Sequence, residues 1–261
     1  MGILRASMRS IAIFILTVTS YALWLATRVS VLFSSRLARR SHHVIVRLWA
    51  RAMLAILGVQ VTVKGEPPKP PFFLVSNHLS YVDILVFLAR VDGVFLAKSE
   101  VASWPGIGHL ARVTGTLFVD RERKSDLSRV VDVVKNSMDA GWGVMVFPEG
   151  TSTDGHCVEP FKSSLFEVAI RSDSPVFHAS ITYATTPPAL SAHLSVCWWG
   201  DMGFFSHFIQ LLTLPSIAAG ITFGPEPIKG ESRKVLATQA RQAIQSYFTP
   251  VPGSGTSQAF S

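Results

Sequence analysis

Residues 72–89 read FFLVSNHLSYVDILVFLA. The short apolar run FFLVSN ends in polar residues and a helical stretch follows over about 80–89, so the chain passes from strand through turn to helix. Upstream lie Val61–Lys64 and the Pro-rich turn Pro67–Pro71. Downstream the alternation continues with strands near Val94–Ala97 and Thr116–Val119. A helix follows over Lys124–Ala140, apolar at 127, 130, 131, 134 and 138, and then a buried strand at Val144–Phe147 after the Gly141–Gly143 break. Leu165–Arg171 reads as a helix, and Val176–Tyr183 and Leu194–Trp199 read as strands. A helix at Phe204–Leu212, a strand at Ile217–Phe223 and a helix at Glu231–Phe248 close the pattern. Strands alternating with helices predict an α/β layered domain with a mainly parallel sheet flanked by helices.

The amino-terminal part reads differently. Residues 11–26, IAIFILTVTSYALWLA, carry no charge, and the apolar run resumes after Arg28 through Phe33. A span needs about 20 mainly apolar residues, so the segment sits between a membrane span and a helix lying in the interface. A buried core helix is the plainer alternative. A signal peptide lacks a small-x-small cleavage site here, and Ala6 stands where a myristoylation pattern needs Ser or Thr. VIVRLWARAMLAILG (44–58) is a second helix with Arg47 and Arg51 on one face, which reads as another membrane-contacting element. The expected organisation is membrane-anchoring helices over 1–65, the α/β domain over 66–248 and a disordered tail over 249–261.

Across 261 residues, 48% are hydrophobic and 16% charged, against about 25% charged in an ordinary soluble domain. That composition excludes a disordered chain, a collagen-like chain and a small disulfide scaffold. The net charge of +7 is unevenly placed: residues 1–70 hold ten basic side chains and one acid, and the remainder carries a net of −2. A basic segment beside the most hydrophobic stretch suits an anionic membrane and not a nucleic acid. If the first helix spans, Arg36, Arg39 and Arg40 outnumber Arg5 and Arg9, which places the body on the cytoplasmic side of the inner membrane. Cys157 and Cys197 fit a reducing compartment, and the eight histidines include no HxxxH or HExxH metal arrangement.

Chemistry-bearing residues gather at strand ends. His78 and Asp83 are five apart, too far round a continuous helix to share a face. They meet only if His78 occupies the turn and Asp83 the first helical turn. Asp83 would then fix one ring nitrogen and leave the other as a general base. The same residues fit a capping box, Ser80-x-x-Asp83. Phe147-Pro148-Glu149-Gly150-Thr151 offers a fixed carboxylate and a close-approach backbone, or a simple Pro-Gly turn. Gly115–Arg121 delivers Arg121 at a strand end, suited to a phosphate or to an ion pair with Asp120 or Glu122.

In this order, Asn-His-x-x-x-x-Asp, Gly-x-x-Phe-x-x-Arg, Phe-Pro-Glu-Gly-Thr and the Pro175-Val176 strand closely resemble the glycerolipid acyltransferase family. The likeness is to bacterial 1-acyl-glycerol-3-phosphate acyltransferases and to relatives that acylate lyso-ornithine lipids. It covers roughly residues 44–230 and extends to Lys98, Phe161-Lys162 and Trp198-Trp199-Gly200-Asp201. The resemblance implies O-acyl transfer from acyl-CoA or acyl-carrier protein as co-substrate, with no other cofactor and no metal. The acceptor would be a lysolipid, 1-acyl-glycerol-3-phosphate first and lyso-ornithine lipid as the alternative. It also implies His78 as base, oriented by Asp83, and an acceptor site of Asn77, Lys98, Arg121, Glu149, Gly150 and Thr151. The Asn77 amide would hold the loop. One departure stands out: the family often has Arg after Gly-Thr, and this chain has Ser152, leaving Lys162 as a source of phosphate affinity. A catalytically silent lipid-binding protein on the same fold is the competing reading.

Overall fold

A computed structural model describes residues 2–27, 35–119 and 126–253. The chain opens with two long helices, α1 (Gly2–Thr27) and α2 (Ser35–Leu57), and continues into strand β1 (Val59–Lys64). Then come β2 (Phe72–Ser76), α3 (Val82–Leu88), β3 (Gly93–Lys98), α4 (Ile107–Val113), β4 (Leu117–Val119), α5 (Asp126–Asp139) and β5 (Gly143–Val146). The last part holds α6 (Glu167–Arg171), β6 (Val176–Ala184), α7 (Ala192–Ser195), α8 (Phe204–Thr213), β7 (Ile217–Phe223) and α9 (Arg233–Tyr247).

These strands form one seven-stranded sheet in the order β1-β7-β6-β2-β5-β3-β4. Every pairing is parallel except β6 with β7, so the expected mainly parallel α/β architecture is what the chain adopts. β2 sits near the centre and all five of its residues are buried, because helices cover both faces. On the neighbouring β5, the Phe72 ring occupies the space that a side chain at Gly143 would fill. From β2 the chain leads to β3 and β4 on one side, and later to β6 and β7 on the other. Such a reversal opens a crevice at the carboxyl ends of the central strands, where ligands bind in open α/β sheets.

Hydrophobic periodicity placed the flanking helices well. α5 buries Val130, Val131 and Val134, and α9 buries Leu236, Ala237, Ala240 and Ile244 behind a Ser232 side chain that caps the Val235 amide. Leu194–Trp199 is not a strand. Its amides close locally or across the molecule: Val196 and Cys197 donate to the Ala192 carbonyl, and Trp198 donates to Leu79. Leu194 and Ser195 belong to α7, Leu194 is exposed, and only Ser195, Val196 and Cys197 are fully buried. Of the segment expected as a tail, Val251 is buried and its amide donates to the Gly155 carbonyl at 2.9 Å. Residues 254–261 lie outside the described residues.

The amino-terminal helices are docked on this body. α2 faces the core with Ile45, Val46, Trp49, Ala50, Met53, Leu54 and Leu57. Its arginine stripe also bonds to protein: Arg47, half-buried, pairs with Asp92, and Arg51, exposed, donates to the Ala89 carbonyl. α1 packs along α2 and α8. Arg5 donates to the Thr213 carbonyl at 2.7 Å, and Arg9 donates to Leu212 at 3.0 Å and Leu214 at 2.6 Å. These carbonyls end α8, where a helix leaves acceptors unsatisfied and favours positive charge. The two arginines expected to flank a membrane segment are therefore a helix cap.

Candidate active site

The turn after β2 is held from three directions. Asn77, only 1% exposed, donates from Nδ2 to the Ile181 carbonyl at 2.9 Å, and its Oδ1 accepts the Ile181 amide at 2.8 Å. β2 stops at Ser76, paired with Ala179, whereas β6 runs on to Ala184. The Asn77 side chain thus takes the backbone edge of β6 that a longer β2 would have used. Glu149 accepts the His78 amide at 3.0 Å on one oxygen and the Glu159 amide at 3.1 Å on the other. The His78 carbonyl accepts from the Thr153 amide at 3.0 Å and from its hydroxyl at 3.2 Å.

Within this frame the His78 ring donates from Nδ1 to Asp83 Oδ2 at 2.7 Å. Asp83 lies in the first turn of α3, so the geometry required by the five-residue spacing is present. Half of the capping box is present: Oδ2 also accepts the Leu79 and Ser80 amides at 2.7 and 3.1 Å, whereas Ser80 Oγ accepts the Val82 amide and the Asp83 amide donates to the Ser80 carbonyl. One carboxylate therefore folds the turn and orients the imidazole. The ring lies flat on Phe147, centroids 4.1 Å apart and planes within 5°. With Nδ1 committed to Asp83, Nε2 carries no hydrogen bond among the described residues, and the side chain keeps 19% exposure. That is the tautomer a general base needs.

The remaining residues divide. Glu149 is inside the fold, 5% exposed, with both oxygens on backbone amides, so it shapes the loop. Burial pushes its carboxyl up to about 8, opposed by the two amide donors. Gly150 turns the chain at φ +84°, and a Cβ there would meet the Lys162 ammonium. Thr151 is exposed, and Lys162 covers the Glu149–Gly150 turn. Lys98 ends β3 on the same edge of the sheet, 3.2 Å from Glu100 in an exposed pair. Arg121 lies outside the described residues; β4 approaches that position with Val119 paired to Lys98. Ser152 is buried and donates to the Trp198 carbonyl. Both indoles of the Trp198-Trp199 pair donate to backbone carbonyls, Met202 and His193, so they are packed parts of the site's wall.

Sequence reading missed Phe147 as the platform for His78, Thr153 as the clamp on its carbonyl, and Tyr183, whose hydroxyl donates to Asp83 Oδ1 at 2.6 Å. The signal for Tyr183 was available in part. Val176–Tyr183 reads as a strand, and a tyrosine buried in a strand must find a partner for its hydroxyl.

At the carboxyl edge of a parallel sheet, the His78–Asp83 pair with Nε2 unbonded among the described residues is an arrangement able to accept a proton. The family model described as Acyltransferase matches residues 59–182. The chain is 35% identical over 189 residues to a lyso-ornithine lipid O-acyltransferase of Rhizobium meliloti (strain 1021), covering 68% of this chain and 65% of that relative. A second lyso-ornithine lipid O-acyltransferase, from Rhodobacter capsulatus, is 35% identical over 204 residues, 75% of this chain and 72% of the relative. The crystal structure of the 1-acyl-sn-glycerophosphate (LPA) acyltransferase PlsC from Thermotoga maritima superposes with a TM-score of 0.65 at 21% identity, over 94% of this chain and 97% of that one. The chain belongs to the acyltransferase family.

Proposed function

We propose that this protein transfers an acyl group from an acyl-CoA or acyl-carrier-protein thioester to the free hydroxyl of a lysolipid, with lyso-ornithine lipid as acceptor. The observation that carries the reaction is the 2.7 Å bond from His78 Nδ1 to Asp83, which leaves Nε2 as the base. His78 Nε2 takes the hydroxyl proton as the oxygen attacks the thioester carbonyl carbon. The carbon–sulfur bond breaks, and the imidazolium returns the proton to the leaving thiolate. The thioester supplies the activation, so the step needs no covalent acyl-enzyme and no further cofactor.

Two observations favour lyso-ornithine lipid over 1-acyl-glycerol-3-phosphate. The two curated relatives at 35% identity carry that activity in their names. Ser152, standing where the resemblance often has arginine, is buried on the Trp198 carbonyl, so that position offers no cation to a phosphate. Lys98, Arg121, Lys162 and Thr151 remain as the head-group side of the site. The test offers the purified protein an acyl-CoA with both lysolipids in competition and resolves products by mass. Preferential acylation of lyso-ornithine lipid supports the assignment; preferential formation of phosphatidic acid overturns it.

The protein works, in this reading, on an anionic membrane with α1 lying in the interface. Gly2–Ala26 is long and apolar enough to cross a membrane, and its most apolar window is unburied. Yet α1 is tied to the body along its length, by Arg5 and Arg9 to the end of α8, by Thr17 to Trp49, and by Tyr21 against His109 of α4. A crossing helix would carry those parts of the body to opposite sides of the bilayer. Leu4, Met8, Ile11, Ile15 and Val18 instead present one exposed apolar side, as an interfacial helix does.

A further inference from the structure

Asp83 is wholly enclosed, and its two oxygens are served unequally. Oδ2 receives the His78 imidazole and the amides of Leu79 and Ser80. Oδ1 receives one donor among the described residues, the hydroxyl of Tyr183, 100 positions further along the chain. Tyr183 is 1% exposed and sits on β6 two residues beyond Ile181, whose backbone holds Asn77. One short stretch of β6 therefore fixes both ends of the loop: Asn77 at the start through a peptide, and Asp83 at the end through a phenol.

We propose that Tyr183 is a positioning residue for acyl transfer: its hydroxyl holds the Asp83 carboxylate ionised and turned so that Oδ2 faces His78. This rests on the reading of His78 as the base. The physical case has three parts. A buried carboxylate oxygen without a donor is costly, and a hydrogen bond to the ionised form favours that form. The His78 ring has its platform in Phe147, whereas the rotation of the Asp83 carboxylate is checked on the Oδ1 side by Tyr183 alone among the described residues. The phenol itself stays a donor at every working pH, because burial and then the adjacent Asp83 push its pKa well above the usual tyrosine value.

Tyr183 bonds the Asp83 carboxylate more strongly when the neighbouring imidazole is neutral than when it is imidazolium. Its hydroxyl thus stabilises the proton-accepting form of the pair. Deleting the hydroxyl raises the apparent pKa at which the His78–Asp83 pair takes up a proton.

Tyr183→Phe removes the donor and keeps the ring's packing. The expected result is a kcat lower by about tenfold, the worth of one hydrogen bond to a charged group, with KM for both substrates unchanged. The acid limb of kcat/KM and the His78 proton uptake, followed by imidazole NMR, both move to higher pH. In an Asp83→Asn background, Tyr183→Phe produces no additional loss. A wild-type kcat with unmoved His78 titration, or an equal loss of kcat in the Asp83→Asn background, overturns the proposal. The NMR titration does not depend on turnover. If His78→Ala kept wild-type activity, the base assignment would fall while the titration still reported whether Tyr183 acts on Asp83.

Discussion

The side-chain amide of Asn77 bonds both the N–H and the C=O of Ile181, at 2.8 and 2.9 Å, across 104 residues of sequence. It extends the β2–β6 ladder by one rung after the β2 backbone has turned away, and it sets where His78 begins.

Asn77→Ala leaves a buried peptide N–H and C=O without partners. Urea denaturation of that variant should show a loss of about 1–3 kcal/mol, the cost of orphaned buried polar groups. Activity measured well below the unfolding midpoint should fall as well, because the turn that carries His78 loses its anchor. A midpoint equal to wild type would show that the clamp is not holding the loop.

Glu149 gives the stability a pH dependence with a definite sign. Burial raises its carboxyl from 4.5 to about 8 in the folded protein. A group raised on folding contributes stability that is complete below its unfolded pKa and is lost as the pH rises through the folded value. Wild-type denaturation midpoints should therefore decline between about pH 5 and pH 8 relative to Glu149→Gln, which does not titrate. Parallel pH curves for the two proteins would contradict the protonated carboxyl.

α1 should bind lipid through its free side while its arginines serve the fold. Ile15→Glu should weaken partition onto anionic vesicles by at least about tenfold, the scale of removing one apolar side chain from lipid contact. It should leave turnover of detergent-dispersed substrate intact. Arg9→Met should do the reverse: vesicle binding persists, while amide exchange quickens at the end of α8, whose carbonyls Arg9 holds. Vesicle binding unchanged in Ile15→Glu would remove α1 from the membrane.

The parts of the site that were legible in the sequence are local. His78 and Asp83 could meet only across a strand–turn–helix junction, and the apolar run before them and the helical pattern after them fixed that junction. The parts that were not legible are long-range. Nothing near Asp83 says that its second oxygen belongs to Tyr183, and nothing near Asn77 names Ile181. Arg5 and Arg9 beside an apolar helix read as membrane flanks, because the carbonyls they satisfy end a helix some 200 residues later, at Leu212–Leu214. Leu194–Trp199 read as a strand because a short apolar run looks the same whether or not it joins a sheet.

The central claim is that His78 takes the proton from the lysolipid hydroxyl. It is tested most directly by single-turnover acyl transfer from acyl-CoA to lyso-ornithine lipid, with free thiol and acylated lipid counted together, in wild type and in His78→Ala of equal thermal stability. General-base removal predicts a rate lower by about 10³-fold with one thiol released per lipid acylated in the wild type. A folded His78→Ala protein that transfers at the wild-type rate would contradict the account.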